Sequence, residues 1–183
     1  YLNSFEREME NIVGTVNAGY IGKAKCSTEN MIMLSIFEQV MDMVYTSTIR
    51  EEEGGTYGVG TKTSMTIKNE WIFRFAFDTN VESMNRLKDR AIKEMFNVIE
   101  NGLEEEKFDR VKKYMLKKAN DDIKRNSFWI TQLNEKAVLG TCDVLTYIDT
   151  IEGITIDDVN KFVKKIFKKA DKFEVMMIGT KNQ

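Results

Sequence analysis

The chain contains no histidine. Histidine-based zinc sites, Ser-His-Asp triads and imidazole acid–base catalysis are therefore excluded within it, and chemistry of that kind has to come from another segment. Cysteine is scarce: Cys26 and Cys142 are too few for a disulfide scaffold or an all-cysteine zinc site, and they read as small core or surface thiols. Proline is absent, which suits long uninterrupted helices and removes the usual linker punctuation. The net charge is only -2, so there is no bulk electrostatic reason to bind nucleic acid or an anionic membrane. No apolar run reaches the length of a bilayer span, and Tyr1 to Asn11 carries too many charges for a signal peptide. With 183 residues, 42% of them hydrophobic, the chain can bury one sizeable core, and a single soluble domain over residues 1–183 is expected. The first residue is Tyr1 rather than Met, so an excerpt or processed product of a longer chain is expected. That leaves the compartment open, the periplasm or another bacterial compartment included should a signal precede it.

What is present follows two periodicities. Asn11 to Ala24 mixes Ile12, Val13, Val16, Tyr20 and Ile21 with three glycines, which suits a strand with close backbone neighbours better than a helix. Ser27 or Thr28 can cap the next element, in which Met33, Ile36, Phe37, Val40 and Val44 recur at helical spacing and Met31, Leu34, Met41 and Tyr45 widen the stripe. A Met stripe at this spacing reads as core filling rather than as an adaptable binding face. Two strand patterns follow, Tyr57 to Ile67 and then Trp71 to Asp78, with Lys68-Asn69 between them. The row Trp71, Phe73, Phe75 and Phe77 has Arg74 as its only interleaved cation, so it reads as a packing face and not as a stacking platform for single-stranded nucleic acid.

Helices fill most of the remainder. Ser83 opens a run that Asn101-Gly102 stops, and Glu104 to Glu106 open another that carries Lys117, Lys118, Lys124 and Arg125 toward its end, charges that would complement the helix dipole at both ends. Ser127 can cap a shorter helix stopped by Gly140, and a short helical segment is expected over Val144 to Ile151. Thr155-Ile156-Asp157-Asp158 has the form of a capping box ahead of Val159, Phe162, Val163, Ile166 and Phe167. Phe173 to Ile178 reads as a buried strand that closes the sheet. Strand, helix, hairpin, several helices and strand together imply an α+β fold, an antiparallel-rich sheet with helices packed on one face.

The stretch from Ile49 to Gly60 joins the first helix to the hairpin and places Arg50 and Tyr57 on either side of a glycine turn. Its glycines follow a helix and precede a strand, the reverse of the strand-to-helix context that aims amides at phosphate. On spacing alone, Arg50 reads as a cation satisfied by the last carbonyls of a helix or by neighbouring glutamates, and Tyr57 as a half-buried strand residue. Glu51 to Glu53 face solvent on this reading, or else a basic region of a substrate.

The run Ile49-Arg50-Glu51 to Gly54/Gly55 and Thr56-Tyr57-Gly58-Val59 resembles the Arg-Glu…Gly…Tyr signature in the C-terminal domains of the pitrilysin/insulinase family, zinc metallopeptidases with an inverted His-x-x-Glu-His motif. Similar correspondences run from Gly102-Leu103-Glu104-Glu105-Glu106 to Lys112-Lys113-Tyr114 and through Ile154-Thr155-Ile156-Asp157-Asp158-Val159. The resemblance implies the LuxS/insulinase-like half-domain sandwich. It also implies a clam-like endopeptidase in which an N-terminal domain, in cis or as a partner subunit, carries zinc while a domain like this one closes over a peptide or unfolded protein. Tyr57 and Arg50 would then be auxiliary catalytic residues, the tyrosine hydroxyl near the scissile carbonyl and the arginine supporting the same site. This chain lacks His-x-x-Glu-His, so the resemblance puts zinc and the general base elsewhere. A non-catalytic family member acting as a binding or structural subunit is the alternative.

The absence of histidine gives a direct expectation. The isolated chain should purify without stoichiometric zinc and should not cleave peptides, which elemental analysis and a peptide digest check together. One tightly held zinc per chain would contradict it.

Overall fold

The computed structural model describes residues 1–52, 56–139 and 146–181. Among them, strands β1 (Leu2–Glu8), β2 (Gly14–Lys23), β3 (Gly60–Met65), β4 (Glu70–Thr79) and β5 (Asp171–Thr180) form one sheet in the order β1-β5-β2-β4-β3. The helices are α1 (Thr28–Tyr45), α2 (Met84–Asn101), α3 (Glu105–Asp122), α4 (Asn126–Leu139), α5 (Tyr147–Gly153) and α6 (Ile156–Phe167). The α+β architecture is the expected one. All strand pairs are antiparallel except β1 with β5, so the sheet is mixed.

Alternation along β4 sends Trp71, Phe73, Phe75 and Phe77 into the core, at 1%, 0%, 0% and 4% exposure, while Arg74 and Asp78 stay in solvent. Val16, Ala18 and Tyr20 of β2 share that covered face, and α1, α2 and α6 pack on it. Phe167, the last residue of α6, is the meeting point: its ring centroid lies 4.8 Å from Trp71, 5.5 Å from Phe37, 5.7 Å from Tyr20 and 6.0 Å from Phe73. The expected capping box of α6 is present, with Thr155 Oγ1 accepting from the Asp158 amide and Asp158 accepting from the Thr155 amide. Ser27 caps α1 by accepting from the Asn30 amide. Gly102 ends α2 with φ +89, a backbone region in which a Cβ is strained, and an added Cβ would also lie 3.0 Å from Asn160 Nδ2.

The outer edge of β3 is sealed by side chains of α1. The Thr61 amide donates to Asp42 Oδ1 (3.1 Å) and the Thr63 amide to Glu38 Oε2 (2.8 Å), so these two outward amides of the strand have acceptors. Asp42 and Glu38 are one helical turn apart and meet alternate residues of a strand, a coincidence of the two periodicities.

Several expectations are corrected. The strand after the joint begins at Gly60 and not at Thr56 or Tyr57. A strand, β1, lies in the charged opening stretch, and it runs outside β5, so β5 is an interior strand and does not close the sheet. The last turn of α3 has no basic residue: Lys124 and Arg125 follow the helix and pair back to Asp121 and Asp122, so only its N-terminal glutamates complement the dipole. The side-chain cap ahead of α2 comes from Asn80, which accepts from the Ser83 amide at 2.8 Å at the start of the 3-10 turn Val81–Ser83. Ser127 lies inside α4, which starts at Asn126. Gly54, Gly55, Gly140, Cys142 and the first two residues of the Val144 to Ile151 segment lie outside the described residues.

One ion pair is buried between sheet and helix. Lys88 Nζ of α2 is 3.1 Å from Glu174 Oε2 of β5, and Lys172 pairs with the other oxygen. Burial pushes the Glu174 carboxyl upward, but hydrogen bonds and charge from Lys172 and Lys88 outweigh it and hold the group below its ordinary value. A folded value below the unfolded one means that Glu174 adds stability above the unfolded pKa and loses that contribution as pH falls through the folded value. Lys88→Met should therefore destabilise the fold at neutral pH by about 3 kcal/mol, Lys88→Met with Glu174→Leu should recover most of that, and Glu174→Gln should weaken the loss of stability on acidification. Urea titrations of the three variants between neutral and acid pH check this.

Candidate functional site

The helix that leads to the joint changes its winding before it reaches Arg50. Beyond Tyr45, α1 continues as a π-helical segment, Thr46–Glu52. The residues at the change are Thr46, Ser47 and Thr48, whose hydroxyls turn back onto carbonyls of the preceding turn: Thr46 to Asp42 (2.8 Å), Ser47 to Val44 (3.0 Å) and Thr48 to Val44 (2.8 Å). Three such bonds in a row give the carbonyls acceptor work other than the regular ladder and favour a widened turn. The run Thr46-Ser47-Thr48 was the signal for this widening, one that apolar periodicity does not register. Just before it, Tyr45 is fully buried and donates from its hydroxyl to the Ala91 carbonyl of α2 at 3.1 Å. Burial, the largest cause, raises that phenol well above its ordinary pKa, so it stays a neutral donor that pins the end of α1 to α2.

Two anchors hold the described ends of the joint. Ile49, immediately before Arg50, is 0% exposed, and Val59, two residues after Tyr57, is 8% exposed. Between them the polar groups turn outward: Arg50 is exposed and Tyr57 is 100% exposed. Among the described residues, neither side chain has a hydrogen-bond, ion-pair or ring partner. The reading of Tyr57 as a half-buried strand residue is thereby corrected, and no helix carbonyl among the described residues satisfies Arg50; the neighbouring glutamates, its other expected partners, have side chains outside the described residues. Tyr57 stands on a local turn in which Thr56 Oγ1 donates to the Gly58 carbonyl (3.1 Å) and accepts from the Gly58 amide (3.3 Å), which competes with sheet pairing until Gly60. The side chains of Glu51 to Glu53 lie outside the described residues.

Tyr57 borders a hollow of about 510 Å³ formed with Ile12, Val13, Asp78, Thr79 and Asn80 at the ends of β2 and β4. Asp78 there accepts from the Thr15 hydroxyl at 2.6 Å. Arg50 does not line it. A larger hollow, about 670 Å³, lies between α1, α3, α4 and α5 and contains neither residue. Its charges are largely spoken for within the fold: Lys118 and Arg125 pair with Asp122, and Glu38 serves β3. No cluster of three potential metal ligands occurs among the described residues, and Cys26 is buried, so the residues present do not fit a zinc site. Among the described residues, no helix is long and apolar enough to cross a membrane.

A family model described as "Peptidase M16 inactive domain" matches residues 13–115, which include Arg50 and Tyr57. No curated protein matches the chain. Similar solved structures include the periplasmic protease PqqL from Escherichia coli, 14% identical with a TM-score of 0.87 over 97% of this chain and 20% of that one. A peptidase M16 inactive domain from Pseudomonas fluorescens is 15% identical, with a TM-score of 0.82 over 100% of this chain and 44% of the other. Complex III2 from Candida albicans contains a chain 11% identical, with a TM-score of 0.76 over 97% of this chain and 45% of that one. At these identities the likeness is one of fold. The present chain spans less than half the length of each.

The geometry separates anchors from exposed groups, and stability measurements should do the same. In the isolated chain, Tyr57→Phe and Arg50→Lys should each change unfolding free energy by no more than about 0.5 kcal/mol, whereas Ile49→Ala should cost about 2–5 kcal/mol. Denaturant titration of the three variants checks this.

Proposed function

The chain belongs to the family described as the peptidase M16 inactive domain, and from that premise we propose that it is the accessory domain of a zinc metalloendopeptidase that closes over a peptide and presents Arg50 and Tyr57 to the bound substrate. The observation that carries this reading is the joint itself: an arginine and a tyrosine in solvent without partners among the described residues, held between the buried Ile49 and Val59. A fully exposed, unpaired tyrosine contributes little to the stability of its own domain, so its value lies in what meets it. The zinc and the general base belong, on this reading, to another domain or subunit.

The chemistry suits the two groups. As a scissile carbonyl becomes tetrahedral its oxygen gains negative charge, and a phenol is a neutral donor whose hydrogen bond strengthens as that charge develops. The guanidinium of Arg50 offers five N–H donors in a planar fork, enough to hold backbone carbonyls or a carboxylate of an extended peptide. The apolar edge of the hollow beside Tyr57, Ile12 and Val13, is placed to pack against a substrate side chain.

A second reading rests on the occurrence of the same fold in Complex III2 from Candida albicans: a binding or structural subunit in which Arg50 and Tyr57 contact a partner protein and no bond is cleaved. Turnover separates the two. With this domain joined to the zinc-carrying domain or subunit, Tyr57→Phe should lower turnover about a hundredfold, equivalent to about 3 kcal/mol, with a smaller effect on peptide binding. Arg50→Lys keeps the charge without the fork and should not substitute. Unchanged turnover in both variants would favour the binding subunit.

A further inference from the structure

The hollow beside Tyr57 holds a negative charge that no described residue answers. Its walls come from three places: Ile12 and Val13 ahead of β2, the joint, and the end of β4. Most of the polar groups there are engaged. Thr56 closes its own turn on Gly58, Asn80 accepts from the Ser83 amide, and Thr79 is buried with a partner of its own. Asp78 is different. It is exposed, one of its oxygens accepts from the Thr15 hydroxyl (2.6 Å), and the other has no partner among the described residues. No lysine or arginine among the described residues lines the hollow, and Arg74, the nearest cation along β4, is four residues away, about 13 Å in an extended strand. The joint adds charge of the same sign, since Ile49 to Gly60 contains Glu51, Glu52 and Glu53 against the single Arg50.

The wall beside the carboxylate is apolar and fixed. Ile12 is 49% exposed, and the carbonyl of Val13 accepts from the Gly179 amide of β5 at 2.9 Å, which ties this wall to the sheet. An apolar wall leading to an uncompensated carboxylate complements a side chain with an apolar stem and a cationic head, the form that lysine and arginine share. A neutral apolar side chain would desolvate Asp78 and give it no partner, and an acidic one would be repelled.

On the reading that Tyr57 meets a bound peptide, on which this inference rests, we propose that the hollow is a specificity subsite for a basic residue of that peptide. Asp78 accepts from the lysine or arginine head group, and Ile12 and Val13 flank its stem. A compact hollow of about 510 Å³ is about 10 Å across, the span of about three residues of extended peptide. The basic residue therefore falls within about three residues of the bond that Tyr57 meets. An exposed ion pair gives up to about fivefold in affinity and a charged hydrogen bond shielded from water more than tenfold, so a preference of about tenfold is expected.

Peptide binding is the readout, taken by fluorescence anisotropy on the full-length protein that contains this domain, with a chelator present so that no bond is cleaved. The probes are short fluorescein-labelled peptides of alanine, leucine and serine that differ only at one central residue: lysine, norleucine or glutamate. Norleucine keeps the lysine stem and lacks the charge. The lysine peptide should bind about tenfold more tightly than the norleucine peptide, and the glutamate peptide more weakly than either. Asp78→Asn keeps an acceptor for Thr15 and should bring the lysine peptide down to the norleucine affinity, while Asp78→Lys should reverse the order in favour of glutamate. Near-UV circular dichroism verifies folding, and Asp78→Ser replaces Asp78→Asn if that variant is not folded. Equal affinity for lysine and norleucine, a lysine preference that survives Asp78→Asn, or no binding of any of the three peptides overturns the subsite. Turnover without the chelator separates this result from the protease reading. A preference that depends on Asp78 in a protein that cleaves none of the peptides keeps the subsite and removes only the endopeptidase. Cleavage that depends on Tyr57, with no preference that depends on Asp78, keeps the endopeptidase and removes the subsite.

Discussion

The fold depends on the ring of Phe167. It arrives at the end of α6, from the C-terminal part of the chain, and touches rings from β2, α1 and β4 at once. Each aromatic pair of this kind contributes about 0.5–1.5 kcal/mol beyond its buried area, and all of them share one side chain. Removing that ring would loosen the strands from α1 as well as from α6. The capping box at Thr155 and Asp158 matters for the same reason, since it fixes where α6 starts and hence where its last residue falls. Once Phe37 is held by Phe167, the register of α1 against the sheet is set, and with it the point at which α1 runs into the joint.

That joint shows how a stable scaffold can hold groups it does not itself need. Tyr45 is tied to α2, Ile49 is buried, and the three hydroxyls of Thr46, Ser47 and Thr48 widen the helix between these two anchors. The energetic terms all act on the neighbours of Arg50 and Tyr57. Among the described residues nothing takes up the hydrogen-bonding capacity of the two exposed side chains, which is the condition under which a donor can be offered to something outside the domain.

The two edges and two faces of the sheet are treated differently. At β3, Asp42 and Glu38 supply acceptors to outward amides that would otherwise invite another strand. The helices cover one face, while the other carries the half-buried Phe173, Val175 and Met177 of β5. A small α+β unit with one bare face is half of a layered structure, and layered domains reach stability by covering such faces.

Much of this was legible in the residues themselves, and the parts that were not share a cause. The aromatic alternation of Trp71 to Phe77, the apolar stripe of α1, the caps at Ser27 and Thr155 and the stop at Gly102 are local patterns, and local patterns decide element type. The lack of histidine settled the absence of a histidine-based metal site in this chain without any structure. Tertiary structure decided what local pattern cannot. The opening stretch became β1 because β5 offers it a parallel partner 172 residues further along the chain, although its own residues show no buried alternation. Tyr57 is in a turn and not in a strand because the Thr56 hydroxyl, a side-chain group, competes with the ladder for the backbone of Gly58. Arg50 and Tyr57 were marked in the sequence by the resemblance of their stretch to the pitrilysin/insulinase signature, whereas their spacing alone left them as structural residues. That both face solvent follows from the burial of Ile49 and Val59 on either side, because it is the packing of a segment's neighbours, and not its own composition, that determines which of its side chains are left facing outward.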